Sequence, residues 1–325
     1  MTRANGEMDT AKMIIGIPRA LLYHRYHCLW ETFFEHLNLQ VVVSRETDKA
    51  ILERGGVCAI DEACLSSKIY LGHVESLLGR CDLVFVPRVS NFGQRDNILC
   101  TKFEALPDIV SNTFRHRGIK LLDCNIDGRQ SENELSAFML MRKKLGKKRF
   151  QTFYAYMLAK QAEKLEQDSL AREQERRLEE AEGLKLLIVG HSYNVYDKFI
   201  GGPILHYLKA LGATPIIADR VDRKRALSRA AELTSTMPWL FNRELTGAVQ
   251  ECREKVDGLI LLSAFPCGPD SLANEILLRR VSGLPTLNLL VDSQEGAAGI
   301  ETRLESFIDI IGFRQAAKTA KEASL

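Results

Sequence analysis

Sulfur is where this sequence offers most to chemistry. Eight of its 325 residues are cysteines, and three of them stand in segments that do not read as core filling. The stretch Ser263-Ala-Phe-Pro-Cys-Gly-Pro-Asp270 fixes Cys267 between two prolines and beside a glycine. Pro266 and Pro269 stiffen the backbone, Gly268 permits close approach of another group, and Asp270 or Ser271 can cap a following helix. Cys100 ends the run from Arg88, which follows a strand-like segment, and precedes Thr101 and Lys102. Cys64 falls in the first turns of a helix that opens near Asp61. A helix N-terminus favours the thiolate, the form that binds metals or reacts. Taken alone, Cys64 also reads as a buried cysteine serving as a small apolar residue. No Cys-x-x-Cys pair is present, so a metal site has to be assembled from distant segments. Cys58 and Cys124 are the substitutes for this trio. Cys28 and Cys252 fall in expected helices and Cys81 just before a strand, which assigns them to packing.

The elements that position these sulfurs form two stretches in which short apolar, β-rich runs alternate with amphipathic helices, the pattern of open parallel α/β sheets. Strands are expected at Met13 to Ile17, Gln40 to Val43, Leu83 to Pro87 and Ile119 to Asp123, and again at Leu184 to Val189, Thr214 to Ile217, Gly258 to Leu262 and Thr286 to Val291. Helices are expected between them, the later ones at about 201–211, 243–255, 271–282 and 299–311. Between the stretches the text turns to Lys, Arg, Glu, Gln, Ala and Leu. Mixed charges at helical spacing there read as solvated helix faces. The expected fold is α/β: two Rossmann-like open parallel-sheet domains, 1–130 and 184–325, joined by a helical connector over 131–183. No sequence repeat is strong enough to indicate duplication. Ligands of such sheets bind beyond the carboxyl ends of the strands, where Cys100 and Cys267 lie. His24, His27 and His36 lack the i, i+4 spacing of a helical zinc site and are expected on a helix surface.

Composition excludes several classes. With 46% hydrophobic residues the chain can bury two cores. Its 44 Lys+Arg against 42 Asp+Glu give no bulk attraction to nucleic acid or anionic lipid. Acidic residues interleave with the basic ones of the middle segment without an aromatic ladder, so neither nucleic acid nor membrane is expected as a partner. No apolar run approaches a membrane span, and Met1 to Lys12 contains no hydrophobic signal region, so a cytoplasmic location is expected, with the thiols reduced. No P-loop, Gly-x-Gly-x-x-Gly turn or paired phosphate loop of the actin-like ATPases is present. Gly201-Gly-Pro203 reads as an ordinary helix start.

Taken together, Gly16-Ile-Pro-Arg-Ala-Leu21, Asp61-Glu-Ala-Cys-Leu65, Cys100-Thr-Lys102, Gly190-His-Ser-Tyr-Asn-Val-Tyr-Asp-Lys198, Phe265-Pro-Cys-Gly-Pro-Asp270 and Thr302-Arg-Leu-Glu-Ser-Phe307 resemble the acyl-CoA dehydratase activase-related family, which is similar to the iron–sulfur subunits of 2-hydroxyacyl-CoA dehydratases. The resemblance runs in order over about residues 13 to 312. It implies an iron–sulfur cluster of the 4Fe-4S kind held by Cys64, Cys100 and Cys267, with one iron open. It also implies low-potential electrons from a partner, an activator ATPase of the actin-like type, and dehydratase-like or reductive chemistry on an acyl-CoA. A carrier role without catalysis is equally compatible. His191, Tyr193 and Asn194 can then donate hydrogen bonds to cluster sulfides or to a thioester carbonyl, or merely fix their loop. Ser192 replaces the proline usual in that family. Arg19 and Arg88 can hold an anionic group or form surface salt bridges, and Lys68 and Lys102 can offset cluster charge. The alternatives are a non-redox scaffold or binding component of an activase complex, and a zinc-thiolate protein. Apolar surface on the middle helices can serve a homodimer or a partner.

Overall fold

The computed structural model describes residues 12–92, 97–130, 132–293 and 297–322. Residues 1–11 of the stretch read above for a signal region, and residues 93–96 of the connection from Arg88 to Cys100, lie outside the described residues. The first half runs β1 (Ile14–Ile17), α1 (Tyr23–His36), β2 (Gln40–Val43), α2 (Lys49–Cys58), α3 (Leu65–Leu77), β3 (Leu83–Asn91), α4 (Thr101–Glu104), α5 (Leu106–Thr113) and β4 (Leu121–Asp127). Helices α6 (Glu134–Leu145) and α7 (Arg149–Glu180) follow. The second half runs β5 (Lys185–Val189), α8 (Ser192–Val195), α9 (Gly201–Ala210), β6 (Thr214–Ile217), α10 (Arg223–Arg229), α11 (Leu240–Cys252), β7 (Gly258–Ala264), α12 (Gly268–Arg280), β8 (Thr286–Val291) and α13 (Ala297–Glu322).

Both sheets have four parallel strands, in the orders β2-β1-β3-β4 and β6-β5-β7-β8. The expected α/β architecture of two open parallel sheets is therefore the observed one. A parallel strand covered by helices on both faces must be apolar along its length, and every residue of β7 is buried. The edge strand β8 instead turns Asn288 and Leu290 outward. The two halves repeat one winding, as their alternation of strands and helices suggests, without a repeat of residues, because strands of this kind share composition rather than sequence.

Helix α13 is longer than expected. Its buried anchors Ile300, Leu304, Phe307 and Ile311 end where periodicity predicts the end, but Gln, Ala and Lys, good helix formers, carry it to Glu322. Helix α7 is more than a solvated connector. Thr152, Ala155 and Ala159 are buried where it lies along α1, and its Gln174 Nε2 donates to Ile217 O at the end of β6 at 2.9 Å. Phe150, Phe153, Tyr154 and Met157 remain exposed on it.

Two glycine contacts set the helix that carries Cys64. A Cβ on Gly72 of α3 would stand 2.0 Å from Ile51 O of α2, and one on Gly55 of α2 would stand 1.9 Å from Lys68 O of α3. The two backbones touch, which no larger residue permits. Gly201 likewise opens α9 against Val195 O, 2.0 Å from a would-be Cβ, so it belongs to a packed helix start as expected.

Candidate functional site

Each cysteine of the expected trio is the N-cap residue of a helix: Cys64 of α3, Cys100 of α4 and Cys267 of α12. N-cap residues normally spend their side chain on the free N–H groups of the first turn. None of these three makes a capping bond of full hydrogen-bond geometry, although the Lys102 N–H lies close enough to Cys100 and the Asp270 N–H close enough to Cys267 to favour their thiolates. Around Cys267 the loop is built by a cis Phe265–Pro266 bond, by Pro269 in the first turn, and by Ser271, whose N–H and hydroxyl both donate to Cys267 O at 3.0 and 2.7 Å. Cys64 Sγ lies 3.2 Å from Ser67 Oγ.

The two halves are stitched across this region by reciprocal backbone bonds. Leu65 N–H, at the start of α3, donates to Phe265 O at 2.8 Å, and Leu240 N–H, at the start of α11, donates to Ile98 O at 2.9 Å. Between them opens a pocket of about 530 Å³ counted out to its mouth, much of it a narrow slot. Cys64, Cys100 and Cys267 all line it, together with the expected Lys102, His191, Tyr193 and Asn194. The rest of its wall is largely apolar, including Leu99, Phe103, Trp239 and Phe241.

Arg19 does not reach this pocket. Its Nε donates to Ser44 O at 3.1 Å and its guanidinium lies over Tyr23, 5.6 Å from the ring centre. Arg88 is a salt bridge to Asp108 at 2.8 Å, and Lys68 lies outside the lining. Among the substitutes, Cys124 is buried in β4 and Cys58 ends α2, both away from the site. Cys81 packs against Gly16, where a Cβ would come within 2.5 Å of its sulfur. His24 and His27 are half-buried rather than on the surface; His27 Nε2 pairs with Glu166 at 3.2 Å, because α7 covers that face of α1. His36 alone of the three is exposed.

Burial raises the Cys100 thiol above its ordinary value, with the Lys102 N–H opposing and the nearby Cys64 adding to it. Burial and then the Asp270 carboxylate push Cys267 up much further. A cationic centre reverses this balance by binding thiolate directly. Asp270 was legible only as a helix cap, yet it is buried and its Oδ1 meets His191 Nε2 at 2.8 Å and Asn242 Nδ2 at 2.9 Å. Burial works against both charges, but each partner's field wins: His191 rises and Asp270 falls. Asp270 Oδ2 has no hydrogen bond of ordinary geometry, although the Cys267 thiol is close enough to lower its pKa. Asn194, 1% exposed, accepts the Ser66 hydroxyl at 2.7 Å through Oδ1, and its Nδ2 has no partner among the described residues. Ser66, Asn242, Trp239 and Phe241 carried no signal in the sequence, since each is an ordinary helix-start residue until the other half is in place.

Three helix-start thiols and an amide donor without a partner among the described residues share one largely apolar pocket, which suits a group that takes thiolate ligands and offers sulfide acceptors. Among the described residues no three His, Cys, Asp or Glu side chains form a group able to hold a single metal ion. No helix among them is long and apolar enough to cross a membrane.

A family model described as CoA enzyme activase uncharacterised domain (DUF2229) matches residues 14–221. The match takes in Cys64, Cys100 and His191 to Asn194; Cys267 and Asp270 lie beyond it. No curated protein matches the chain.

Proposed function

The chain belongs to the CoA enzyme activase-related family, and from that premise we propose that it is an iron–sulfur protein whose cluster, of the 4Fe-4S kind, is held by Cys64, Cys100 and Cys267. The observation that carries this reading is the delivery of three N-cap thiols from distant segments into one pocket. Bound there, such a group supplies one-electron chemistry at low potential and leaves one iron for an exogenous ligand. The protein's part is positioning. The N-termini of α3 and α12 favour negative charge at their caps, Lys102 adds a cation beside Cys100, and Asn194 Nδ2 offers its unused proton to an acceptor in the pocket. His191 and Asp270 hold one proton between Nε2 and Oδ1. The apolar wall limits water.

In this reading electrons come from an activator ATPase, as membership of an activase-related family implies a partner in an activation complex, and the substrate class is an acyl-CoA or a similar thioester. The exposed Phe150, Phe153, Tyr154 and Met157 of α7 offer apolar surface to that partner or to a second copy. A second reading is a non-redox scaffold of an activase complex, which needs no group in the pocket. A single zinc is the least supported, as among the described residues no three donors converge on one ion.

Anaerobic purification separates these readings. The protein should be brown, contain iron and sulfide, and lose both in Cys267→Ser. A folded, colourless, iron-free anaerobic preparation would establish the scaffold instead, and stoichiometric zinc without sulfide the third possibility.

A further inference from the structure

The two halves meet at the pocket as approximate two-fold mates. The crossed bonds Leu65 N–H to Phe265 O and Leu240 N–H to Ile98 O are the same contact made twice in opposite directions, the signature of a self-complementary interface. In each, the donor directly follows a helix N-cap and the acceptor stands two residues before a pocket cysteine, Cys267 in one case and Cys100 in the other. The helices behind the donors match as well. A Cβ on Gly72 of α3 would strike Ile51 O at 2.0 Å, and one on Gly247 of α11 would strike Ala226 O of α10 at 1.7 Å. Each glycine lies eight residues beyond its N-cap residue, Cys64 or Trp239 (72 − 64 and 247 − 239). Cys100 and Cys267 are thus one equivalent pair, and Cys64 and Trp239 are the other. Pocket-lining residues obey the same relation: Ser66 and Ser67 of α3 stand where Phe241 and Asn242 of α11 stand.

Three of the four corners of this two-fold site therefore carry sulfur and the fourth carries an indole. We propose that Trp239 marks the open corner: an inorganic core held by the three thiols takes its exogenous ligand on the side of Trp239, whose indole, with Phe241, walls that side of the pocket. The asymmetry is what makes the site open. A fourth cysteine at this position would close it, and an aromatic there supplies area without a metal ligand. This inference rests on the cluster reading proposed above and assigns the place where that cluster is accessible.

The test uses the full chain, loaded anaerobically with iron and sulfide, with cyanide as the probe of an open iron. Reduced wild-type protein should change its electron paramagnetic resonance spectrum on addition of cyanide. Trp239→Cys should load iron and sulfide and lose that response. The chain has two tryptophans, so a Trp30→Phe background isolates the emission of Trp239, which should be quenched on loading. An undiminished cyanide response in loaded Trp239→Cys, or emission unchanged by loading, overturns the assignment while leaving the cluster in place. Wild-type protein that takes up neither iron nor sulfide overturns the cluster reading and this assignment with it, a result seen before any substitution is made.

Discussion

His73 is fully buried, with Nδ1 2.8 Å from Ser44 Oγ and Nε2 2.9 Å from Thr47 Oγ1. Thr47 in turn bonds Asp197 of the second half. Burial lowers the His73 pKa to about 3, and His24, also mostly by burial, to about 4. In the unfolded chain both return to about 6.5. As pH falls below that value the unfolded state binds protons that the folded state refuses, so stability is present above about 6.5 and is lost on the way down toward these lowered values. Each such proton contributes a slope of about 1.4 kcal/mol per pH unit. His73→Gln should be less stable at neutral pH yet show a shallower acid slope, measured by thermal unfolding between pH 7 and 4; an equal slope would place the titration elsewhere. At the pocket, Asp270→Asn should cost about 1–3 kcal/mol through the disturbed bonds of His191 and Asn242, and a calorimetric scan with no change would contradict the pairing. Residues of this scale were legible where the chain itself advertises them, as prolines and glycine do around Cys267. Asp270 looked like a cap because its partner stands 79 residues away, and no local pattern joins the two.

Strands and long helices were readable because burial on both faces of a parallel sheet leaves an apolar run, and burial on one face of a helix leaves a period. What the pattern hides is how closely two helices approach. Gly55 and Gly56 are adjacent and look alike, but a Cβ on Gly55 meets Lys68 O at 1.9 Å whereas one on Gly56 meets nothing within 4 Å. Gly56→Ala should therefore be neutral or stabilising by about 0.5–1 kcal/mol, as usual for glycine replaced inside a helix. Gly72→Ala, driven into Ile51 O, must push α3 off α2, costing about 1–3 kcal/mol or more. Because α3 carries Cys64 at its first turn, the same substitution should also lower the iron retained by the anaerobic protein. Urea titration of the two variants side by side checks the contrast; equal stabilities would mean that the helices separate freely.

At the scale of the whole molecule the question is what holds two sheets, each with its own winding, in the register that brings Cys100 and Cys267 to one pocket. The repeated architecture is legible in the alternation of strands and helices, but the correspondence of corners is not, because it survives in backbone contacts, two glycines and matched intervals while the residues at equivalent corners differ in kind. Besides the crossed backbone bonds, Arg25 of α1 crosses into the second half, where Nη1 reaches Asp219 at 3.2 Å and Nη2 reaches Glu244 at 2.6 Å. Its guanidinium also lies 4.6 Å from the centre of the Phe241 ring, part of the pocket wall. Arg223 joins Glu244 as well, so Glu244 keeps one cation if Arg25 is lost, but Asp219 does not gain one among the contacts seen. Arg25→Met retains the apolar stem and removes the charge. A buried pair broken on one side costs about 3–5 kcal/mol because the remaining carboxylate is uncompensated. The loss should fall on the joint between the halves, so hydrogen exchange at Leu65 and Leu240, whose N–H groups form the crossed bonds, should speed up more than exchange within β5 or β7. Adding Asp219→Asn to Arg25→Met should recover part of the stability by removing the stranded charge. If exchange at the two crossed bonds stays at the wild-type rate while the sheets loosen, the halves are held by packing of α7 along α1 and β6 instead, and the pocket's geometry does not depend on this ion pair.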